Sequence, residues 1–395
     1  MPFEMLETET RGTVIKVIGV GGAGGNAVEH MIRRGVQGVE FIVANTDHQA
    51  LARSASQNLI QLGTTGLGAG AKPEAGRAAA EEARERIADA LRGAHMVFIT
   101  AGMGGGTGTG AAPTVAEVAK ELGILTVAVV SKPFEFEGPK RSKIADAGVA
   151  ELEERVHSLI VILNNKLEEV LGEDAGMHEC FRAADDVLHN ACAGIAEIIN
   201  IPGLVNVDFE DVKTVMGEQG KAMMGTATAS GLDRARVAAE AAVASPLLEG
   251  VDLSGARGVL VNITAGSSLK MKETREVMET IRHFAAEDAT VIFGTVSDEG
   301  MGDDLRVTVV ATGLGRPAGK KVPLSVVSAP TLRTGTDNQP LMPSGASPMP
   351  TDYGRLDTPA VWRSGRESAA ARVSALEDAG TDRYDIPAFL RKQAD

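Results

Sequence analysis

The sequence predicts an α/β protein with a doubly wound parallel-sheet domain, a long connecting helix, a second α+β domain and a disordered tail. Three observations predict this organisation. Short apolar runs alternate with segments of helical spacing, which is typical of repeated βα units. Two glycine-rich loops each follow an apolar run and precede a helix, so they lie at carboxyl ends of strands, where ligands bind in such sheets. From residue 315 onwards the pattern gives way to Pro, Gly, Ser and Thr.

The apolar runs and helical segments divide the chain into three folded parts. Buried strands are predicted at residues 14–20, 39–44, 95–100, 124–130 and 158–163. Helices are predicted at 27–34, 77–92, 111–123, 142–156 and 177–200. A second group has strands at 222–229, 258–264, 290–296 and 305–312 and helices at 232–244 and 272–286. We therefore predict a ligand-binding α/β domain at 12–176, a connecting helix at 177–203 and an α+β domain at 204–314.

The richest glycine loop spans residues 102–110 and reads GMGGGTGTG. Glycine lets the backbone approach a phosphate and turn its N–H groups onto one cluster of oxygens, and the following helix adds unpaired donors. Pro113 suits the first turn of that helix, because a proline lacks only an N–H that is unpaired there. The hydroxyls of Thr107 and Thr109 can donate to phosphate or to a metal-bound water. No Lys-Ser/Thr pair follows, so the loop is not a Walker A motif; a flexible linker is the alternative.

The other glycine loop leaves two functions open. Residues 19–24 read G-x-G-x-x-G between a strand and a helix, and Asp47 follows at the spacing of the acidic residue in a dinucleotide-binding fingerprint. An NAD-dependent oxidoreductase is therefore one candidate, and tight turns without a ligand are another. The chain has two glycine-rich loops, at 19–24 and 102–110, that can both contact phosphate. A dinucleotide needs only one such loop, whereas a nucleoside triphosphate can use both, so the pair of loops favours a nucleoside triphosphate. A third glycine-rich segment, at 61–76, could sense a terminal phosphate, although its composition favours an ordinary surface turn.

Two pairs of side chains four residues apart are candidate ligand contacts. Phe181 and Asp185 share one face of the predicted helix at 177–200. A ring and a carboxylate side by side can stack on guanine and accept from its N1–H and amino group, but spacing alone favours a core Phe and a solvated Asp. Glu137 and Arg141 lie in an irregular segment, and spacing alone predicts a solvated ion pair worth little.

The acidic segment after residues 201–203 also has two interpretations. Ile-Pro-Gly at 201–203 ends the long helix, and Asp208 and Asp211 follow it. Spacing alone makes Asp208 the N-cap of the next helix and Asp211 a first-turn acid that favours the helix dipole. Catalytic carboxylates are the other interpretation.

Composition limits the compartment and the partners. The net charge of −14 and an aromatic content of 3% disfavour a nucleic-acid partner. Cys180 and Cys192 lie twelve residues apart on one predicted helix, so we expect free thiols and a reducing, cytosolic compartment. The acidic N-terminus shows no signal peptide, and no apolar run reaches the roughly 20 residues that cross a bilayer. The seven histidines show no metal-ligand spacing, and no protein metal ligand is assigned.

The tail is predicted to be a linker that ends in a docking peptide. Residues 315–381 form the disordered linker, whose root-mean-square span is on the order of 45 Å. In residues 382–395, Asp385 can cap a short helix and Pro387 suits its first turn. Its apolar side carries Ile386, Phe389 and Leu390. An apolar mini-helix on a long tether fits a partner's groove, and a frayed terminus without function is the alternative.

Six motifs together resemble the tubulin/FtsZ family from end to end, except for the linker. They are GVGGAGGNAV at 19–28, NTD at 45–47, GGGTGTG at 104–110, FEGPKR at 136–141, NVDFEDV at 206–212 and DIPAFLRKQ at 385–393. The resemblance implies a GTPase that binds GTP/GDP with Mg²⁺ bridging the phosphates. It further implies head-to-tail filaments that form the cytokinetic ring at mid-cell, with the terminal peptide binding membrane-tethering and regulatory division proteins and no direct membrane insertion.

The resemblance also assigns roles to individual residues. The phosphates are held by Gly22, Ala23, Gly24, Gly25, Asn26, Gly106, Thr107 and Gly108. The ribose and phosphate side is contacted by Glu137 and Arg141, and guanine is read by Phe181 and Asp185. The loop that one subunit inserts into its neighbour's pocket carries the catalytic residues Asn206, Asp208 and Asp211. These roles reverse the interpretations that spacing favoured, and Asp47 keeps only a nucleotide-side role. A scaffold that binds nucleotide without hydrolysing it is the non-enzymatic alternative.

Overall fold

The helices and strands follow one another in an alternating order. A computed structural model of the chain describes residues 12–172, 174–201, 203–217, 220–245, 256–286 and 289–314. Its strands are β1 Ile15–Val20, β2 Val39–Asn45, β3 Asn58–Gln61, β4 Met96–Gly102, β5 Leu125–Lys132, β6 Ser158–Leu163, β7 Gly220–Ala229, β8 Gly258–Ala265, β9 Thr290–Ser297 and β10 Leu305–Leu314. Its helices are α1 Gly21–Arg34, α2 His48–Ala52, α3 Pro73–Glu82, α4 Arg84–Leu91, α5 Thr107–Glu121, α6 Pro139–Arg155, α7 Asn164–Leu171, α8 Met177–Asn200, α9 Phe209–Met216, α10 Arg234–Val243 and α11 Met271–Phe284. The predicted linker and docking peptide, with Asp385, Ile386, Pro387, Phe389 and Leu390, lie outside the described residues.

All the strands belong to one sheet in the order β3-β2-β1-β4-β5-β6-β7-β10-β8-β9. The first six pair in parallel, and β10 runs antiparallel to both β7 and β8. The predicted fold class is confirmed. The four strands predicted as a separate domain instead continue the sheet, because β7 pairs in parallel with β6 at Ser158, Leu159 and Ile160. The domain boundaries themselves stay predictions.

Helices cover both faces of the first six strands, which explains their continuous apolar runs. Along β1, Ile15 and Val17 pack under α1, α8 and α9, whereas Ile18 and Val20 pack under α3 to α6. A third apolar cluster joins α10 and α11 to the strands of the second half. Cys180 and Cys192 are buried free thiols, as predicted. In the described part of the chain, no helix is both long and apolar enough to span a membrane.

The structure corrects three local predictions and adds one strand that was not predicted. The glycines after β1 and β4 are not wholly loop, because α1 begins at Gly21 and α5 at Thr107. Pro113 consequently lies in the second turn of α5 rather than its first, where it leaves the carbonyl of Thr109 without its helical donor. The single helix predicted at 77–92 is two helices that meet at Ala83. Strand β3 was not predicted, since only one of its four side chains is buried.

Candidate functional site

A cavity of about 550 Å³ opens at the carboxyl ends of five parallel strands. Each of these strands, or the segment directly after it, contributes to the lining. The lining includes Gly22 and Ala23 after β1, Asn45 to Asp47 at the end of β2, Gly102 and Met103 at β4, Ser131 and Lys132 of β5, and Asn164 after β6. This is the edge at which open α/β sheets bind their ligands.

The N-termini of α1 and α5 meet at this cavity. Gly21 has φ of +76°, and a Cβ there would lie 2.9 Å from the backbone nitrogen of Gly108. Only glycine therefore allows the two loops to touch. The first N–H groups of both helices have no helical acceptor and face the same space with their positive dipole ends, which suits a polyphosphate. A Cβ on Gly106 would collide with the carbonyl of Gly70, so the segment predicted as a surface turn instead forms one wall of the cavity.

Most of the predicted phosphate, ribose and base contacts line this one cavity. They are Gly22, Ala23, Asn26, Gly106, Thr107, Gly108, Glu137, Arg141, Phe181 and Asp185. Gly24 and Gly25 are not among the lining residues. A Cβ on Gly24 would collide with the carbonyl of Thr100, so this glycine lets α1 pack closely on β4.

The two threonines of the α5 loop differ in position. The hydroxyl of Thr107 lies in the cavity and shares a 2.6 Å hydrogen bond with the hydroxyl of Thr46. Thr109 is buried, and its Oγ1 accepts a 2.9 Å bond from the N–H of Gly104. Thr107 can therefore reach a phosphate or a metal-bound water, whereas Thr109 holds the glycine loop in shape. Of the two hydroxyls predicted as ligand contacts, only that of Thr107 lies in a residue lining the cavity, and its contact with a ligand stays a prediction.

The Glu137–Arg141 pair is partly enclosed by the cavity. Arg141 Nη1 lies 2.7 Å from Glu137 Oε2, and the Glu137 side chain is 14% exposed. The other oxygen of Glu137 accepts a 3.0 Å bond from the N–H of Phe134. These contacts fix the carboxylate beside the guanidinium. The solvated pair predicted from spacing alone is therefore wrong for Glu137, whereas the side chain of Arg141 is 49% exposed.

An aromatic side chain and a carboxylate on the same face of α8 line the cavity. The ring of Phe181 packs edge-on against Phe134, with centroids 5.3 Å apart, and is 43% exposed. One turn further along α8, burial raises the pKa of Asp185 to about 6, and the nearby charge of His30 opposes that rise. The ring offers a stacking face and the carboxylate an acceptor beside it.

Asn164 is a site residue that the sequence analysis missed. It is buried and lines the cavity, and its Oδ1 has no hydrogen-bond partner within the described structure. A buried polar atom is normally paired, so an unpaired one in a residue that lines a cavity makes Asn164 a candidate ligand contact. An amide supplies both a donor and an acceptor, which together with Asp185 matches the edge of guanine. The available signal was its position directly after β6, at the carboxyl edge of the sheet.

The predicted catalytic loop lies at the opposite edge of the sheet. Helix α8 starts beside the cavity and ends at Asn200, whose Nδ2 donates to the carbonyl of Gly38 just before β2. From Asp185 to Asn200 the helix rises about 22 Å. Phe209, next to Asp208, packs 6.0 Å from the ring of His95, just before β4. The structure therefore does not bring the loop into the cavity of its own chain.

The loop residues are exposed at this amino edge. Asn206, Asp208 and Asp211 all face solvent. Asp208 caps α9 by accepting a 2.8 Å bond from the N–H of Asp211, which confirms the N-cap prediction. One carboxylate oxygen of Asp208 and the whole side chain of Asp211 stay available to a second molecule.

A divalent cation fits the cavity only through its ligand. In the described ranges no group of three or more His, Cys, Asp or Glu side chains could hold a metal. Mg²⁺ commonly keeps several waters and binds substrate phosphates with one or two protein groups. The hydroxyls of Thr46 and Thr107 provide such groups, so the lining fits a phosphate-borne Mg²⁺.

Comparisons with known proteins agree with this geometry. Residues 14–172 match the model of the Tubulin/FtsZ family GTPase domain, and residues 220–315 match the FtsZ family C-terminal domain. The chain is 56% identical to the cell division protein FtsZ of Pseudomonas aeruginosa, over 100% of both chains. It is 56% identical to that of Coxiella burnetii, over 99% of each. A solved empty FtsZ dimer from M. jannaschii superposes with a TM-score of 0.73 at 42% identity, covering 78% of this chain and 89% of that one.

The oxidoreductase alternative gains no support from these matches. Its fingerprint has a packing origin, because a Cβ on Gly19 would collide with the carbonyl of Gly24 across the turn from β1 into α1. The G-x-G-x-x-G spacing thus reports a tight strand-to-helix turn, which dinucleotide-binding and GTP-binding folds can share. One carboxylate oxygen of Asp47 caps α2 by accepting hydrogen bonds from the N–H groups of Gln49 and Ala50. The chain belongs to the tubulin/FtsZ family and is a GTPase.

Proposed function

We propose that this chain binds GTP in the cavity, hydrolyses it to GDP and phosphate, and polymerises head to tail into filaments that form the division ring of a bacterial cell. The proposal rests on one observation: the cavity and the proposed catalytic loop lie at opposite ends of the strands. The phosphate cavity occupies the carboxyl edge of the sheet, and Asn206, Asp208 and Asp211 occupy the amino edge. The M. jannaschii relative is described as a dimer, which is consistent with self-association.

Within one subunit, the nucleotide would lie across the strand ends. The helix N-termini of α1 and α5 hold the phosphates, with Gly24 and Gly25 acting through the first turn of α1. Glu137 and Arg141 contact the ribose and phosphate side. Phe181 stacks on guanine, while Asp185 accepts from its N1–H and amino group and Asn164 completes the edge. The hydroxyls of Thr46 and Thr107 would help to hold a phosphate-bound Mg²⁺, which would neutralise phosphate charge.

Hydrolysis would require a second subunit. Phosphoryl transfer to water depends on positioning and on charge neutralisation rather than covalent chemistry. A neighbour stacked on the carboxyl edge presents its amino edge, so Asp208 and Asp211 can orient and polarise the attacking water. The contact is heterologous, since each subunit gives one surface and receives the other, and it therefore grows an open filament.

The concentration dependence of turnover tests this proposal. We expect turnover per molecule to be near zero at high dilution and to rise above a threshold protein concentration. Asp211→Ala should bind GTP normally, fail to release phosphate, and suppress native turnover in mixtures because it occupies shared sites. Turnover strictly proportional to protein concentration down to the nanomolar range would refute the shared site. Phosphate release also separates a GTPase from a scaffold that only binds nucleotide.

The location and further partners belong to the same proposal. We expect the protein to act in the cytoplasm at mid-cell, with its terminal peptide held in a groove of membrane-tethering and regulatory division proteins. The exposed apolar side predicted for residues 385–390, at the end of a long tether, supports this role.

A further inference from the structure

The loop that carries the proposed catalytic residues is hydrogen-bonded to β9, which is the outermost strand on one side of the sheet. Thr295 of β9 makes two hydrogen bonds to a single loop residue, Val205. The N–H of Thr295 donates to the Val205 carbonyl over 3.0 Å, and the Val205 N–H donates to Thr295 Oγ1 over 2.9 Å. The side-chain hydroxyl thus takes the place of a strand carbonyl. Thr295 is 4% exposed, so its hydroxyl is presented to the loop from within the sheet.

We call the two hydrogen bonds between Thr295 and Val205 the clamp. Packing on both sides of the clamp fixes the distance between the loop and β9. A Cβ on Gly203 would collide with the carbonyl of Thr295, so the chain lies directly on β9 there. Val207 is buried, and a Cβ on the neighbouring Gly294 would lie 3.0 Å from its Cγ2. Asn206 closes the loop by accepting a 2.7 Å bond from the N–H of Gly203.

The backbone bonds of Val205 and the burial of Val207 together hold the register of the loop against β9. Among residues 204–208 the side chain of Val207 alone is buried, and Asn206 and Asp208 on either side of it are exposed. Within the described residues, Thr295 supplies the side-chain hydrogen bond from β9 that sets this register. A displacement of about 1 Å at a reacting group can cost on the order of a hundredfold in rate.

We propose that Thr295 is a positioning residue for hydrolysis, acting through Val205 on the carboxylates that one subunit presents to its neighbour's nucleotide. The inference rests on the proposed shared site. Thr295 touches neither GTP nor water in this role. Its hydroxyl holds the loop in the position from which Asp208 and Asp211 reach the cavity of the neighbouring subunit.

The test compares Thr295→Val with Thr295→Ser. Valine keeps the branched shape and suits a strand, but it leaves the Val205 N–H without its acceptor. Serine keeps the hydroxyl. We expect Thr295→Val to bind GTP like the native protein when dilute and to lose between about tenfold and a hundredfold in turnover above the assembly threshold. Thr295→Ser should retain most of the turnover.

Mixing experiments separate positioning from a loss of folding. Asp185→Ala has a defective pocket and an intact loop, so at low GTP it can supply a loop to the intact pocket of Thr295→Val. We expect the mixture to exceed the sum of its parts, as should a control mixture of Asp185→Ala with Asp211→Ala. Three results would overturn the role of Thr295. The first is native turnover by Thr295→Val, and the second is an equal loss of turnover in Thr295→Ser. The third is a Thr295→Val mixture that shows no gain while the control mixture does. A control mixture without gain would overturn the shared site, and the inference with it.

Discussion

Replacing Asp185 by Asn should weaken GTP binding and stabilise the empty protein at the same time. The carboxylate is mostly buried, and burial raises its pKa to about 6, against a usual value of 3.8. At pH 7.5 the group is therefore charged in surroundings that disfavour the charge. Asn has nearly the same shape and keeps one acceptor, but it removes the charge and places an N–H₂ group where guanine presents donors.

The two effects have opposite signs and separate causes. Hydrogen bonds to a charged acceptor contribute about 1.5 to 3 kcal/mol, so the affinity for GTP should fall by about 10- to 100-fold. Stability follows the raised pKa. Because the folded pKa lies above the unfolded value, the carboxylate costs stability above pH 6, and this cost disappears as the pH falls below about 3.8. The nucleotide-free Asp185→Asn protein should therefore unfold at a higher temperature than the native protein at pH 7.5.

The pH dependence of GTP binding identifies the charged form as the acceptor. Protonation of Asp185 replaces an acceptor by a donor, so the native affinity should fall as the pH drops through about 6, by up to tenfold per pH unit. The phosphates of GTP titrate nearby, and Asp185→Asn reports their contribution alone. Fluorescent-GTP titrations of both proteins from pH 5 to 8 should therefore converge at the acidic end. A constant affinity ratio across that range, or an unaltered preference for GTP over ATP in Asp185→Asn, would refute the assignment.

Two further predictions concern the tail and the second half of the sheet. Deleting residues 382–395 should leave GTP turnover nearly unchanged and abolish recruitment to membrane-tethering partners in a pull-down or localisation assay; a truncated protein without turnover would place the tail in the catalytic fold. Arg234→Met should lower the free energy of unfolding in urea by about 3 kcal/mol, because Arg234 is 5% exposed and pairs through two nitrogens with the carboxylate of Glu273. Arg236→Met, on the same helix but in an exposed pair, should cost less than about 1 kcal/mol, and equal losses in the two variants would contradict this reasoning.

The elements that sequence predicts best are those whose signals are local. Helix α8 runs from Met177 to Asn200, the range predicted, because its apolar spacing is long and Pro-Gly follows one residue after its end. Phe181 and Asp185 consequently share one face, and both line the cavity. The buried strands of the first half were also predicted within a few residues, since helices cover both of their faces and leave uninterrupted apolar runs.

What sequence alone could not give depends on contacts between distant segments. The join between β6 and β7 is three residue pairs long, and neither strand's composition reports its neighbour. Asn164 follows an ordinary apolar run, and it is its place in the cavity lining together with its unpaired Oδ1 that makes it a candidate ligand contact. Thr295 is one Thr in a β-rich segment, and its bonds to Val205 span 90 residues of chain. Residue spacing correctly predicted that Asp208 caps α9. A helix cap accounts for the local backbone geometry, but it does not show which molecule the exposed carboxylates of Asp208 and Asp211 contact.

The length of α8 and the direction of the strands together keep the proposed catalytic loop away from the cavity of its own chain. All strands that border the cavity run in the same direction, so every loop that can hold phosphate emerges at one edge. The helix then carries the chain about 22 Å to the other edge before the first of the proposed catalytic residues occurs. The clamp at Thr295 keeps the loop there, since Val205 is bonded to β9 and Val207 is buried. A conformational change that folded the loop back onto its own cavity would have to break both contacts and reverse α8. In the proposed filament, stacking a second subunit brings the two edges together with neither cost, so the proposal ties hydrolysis to assembly through the direction of the strands.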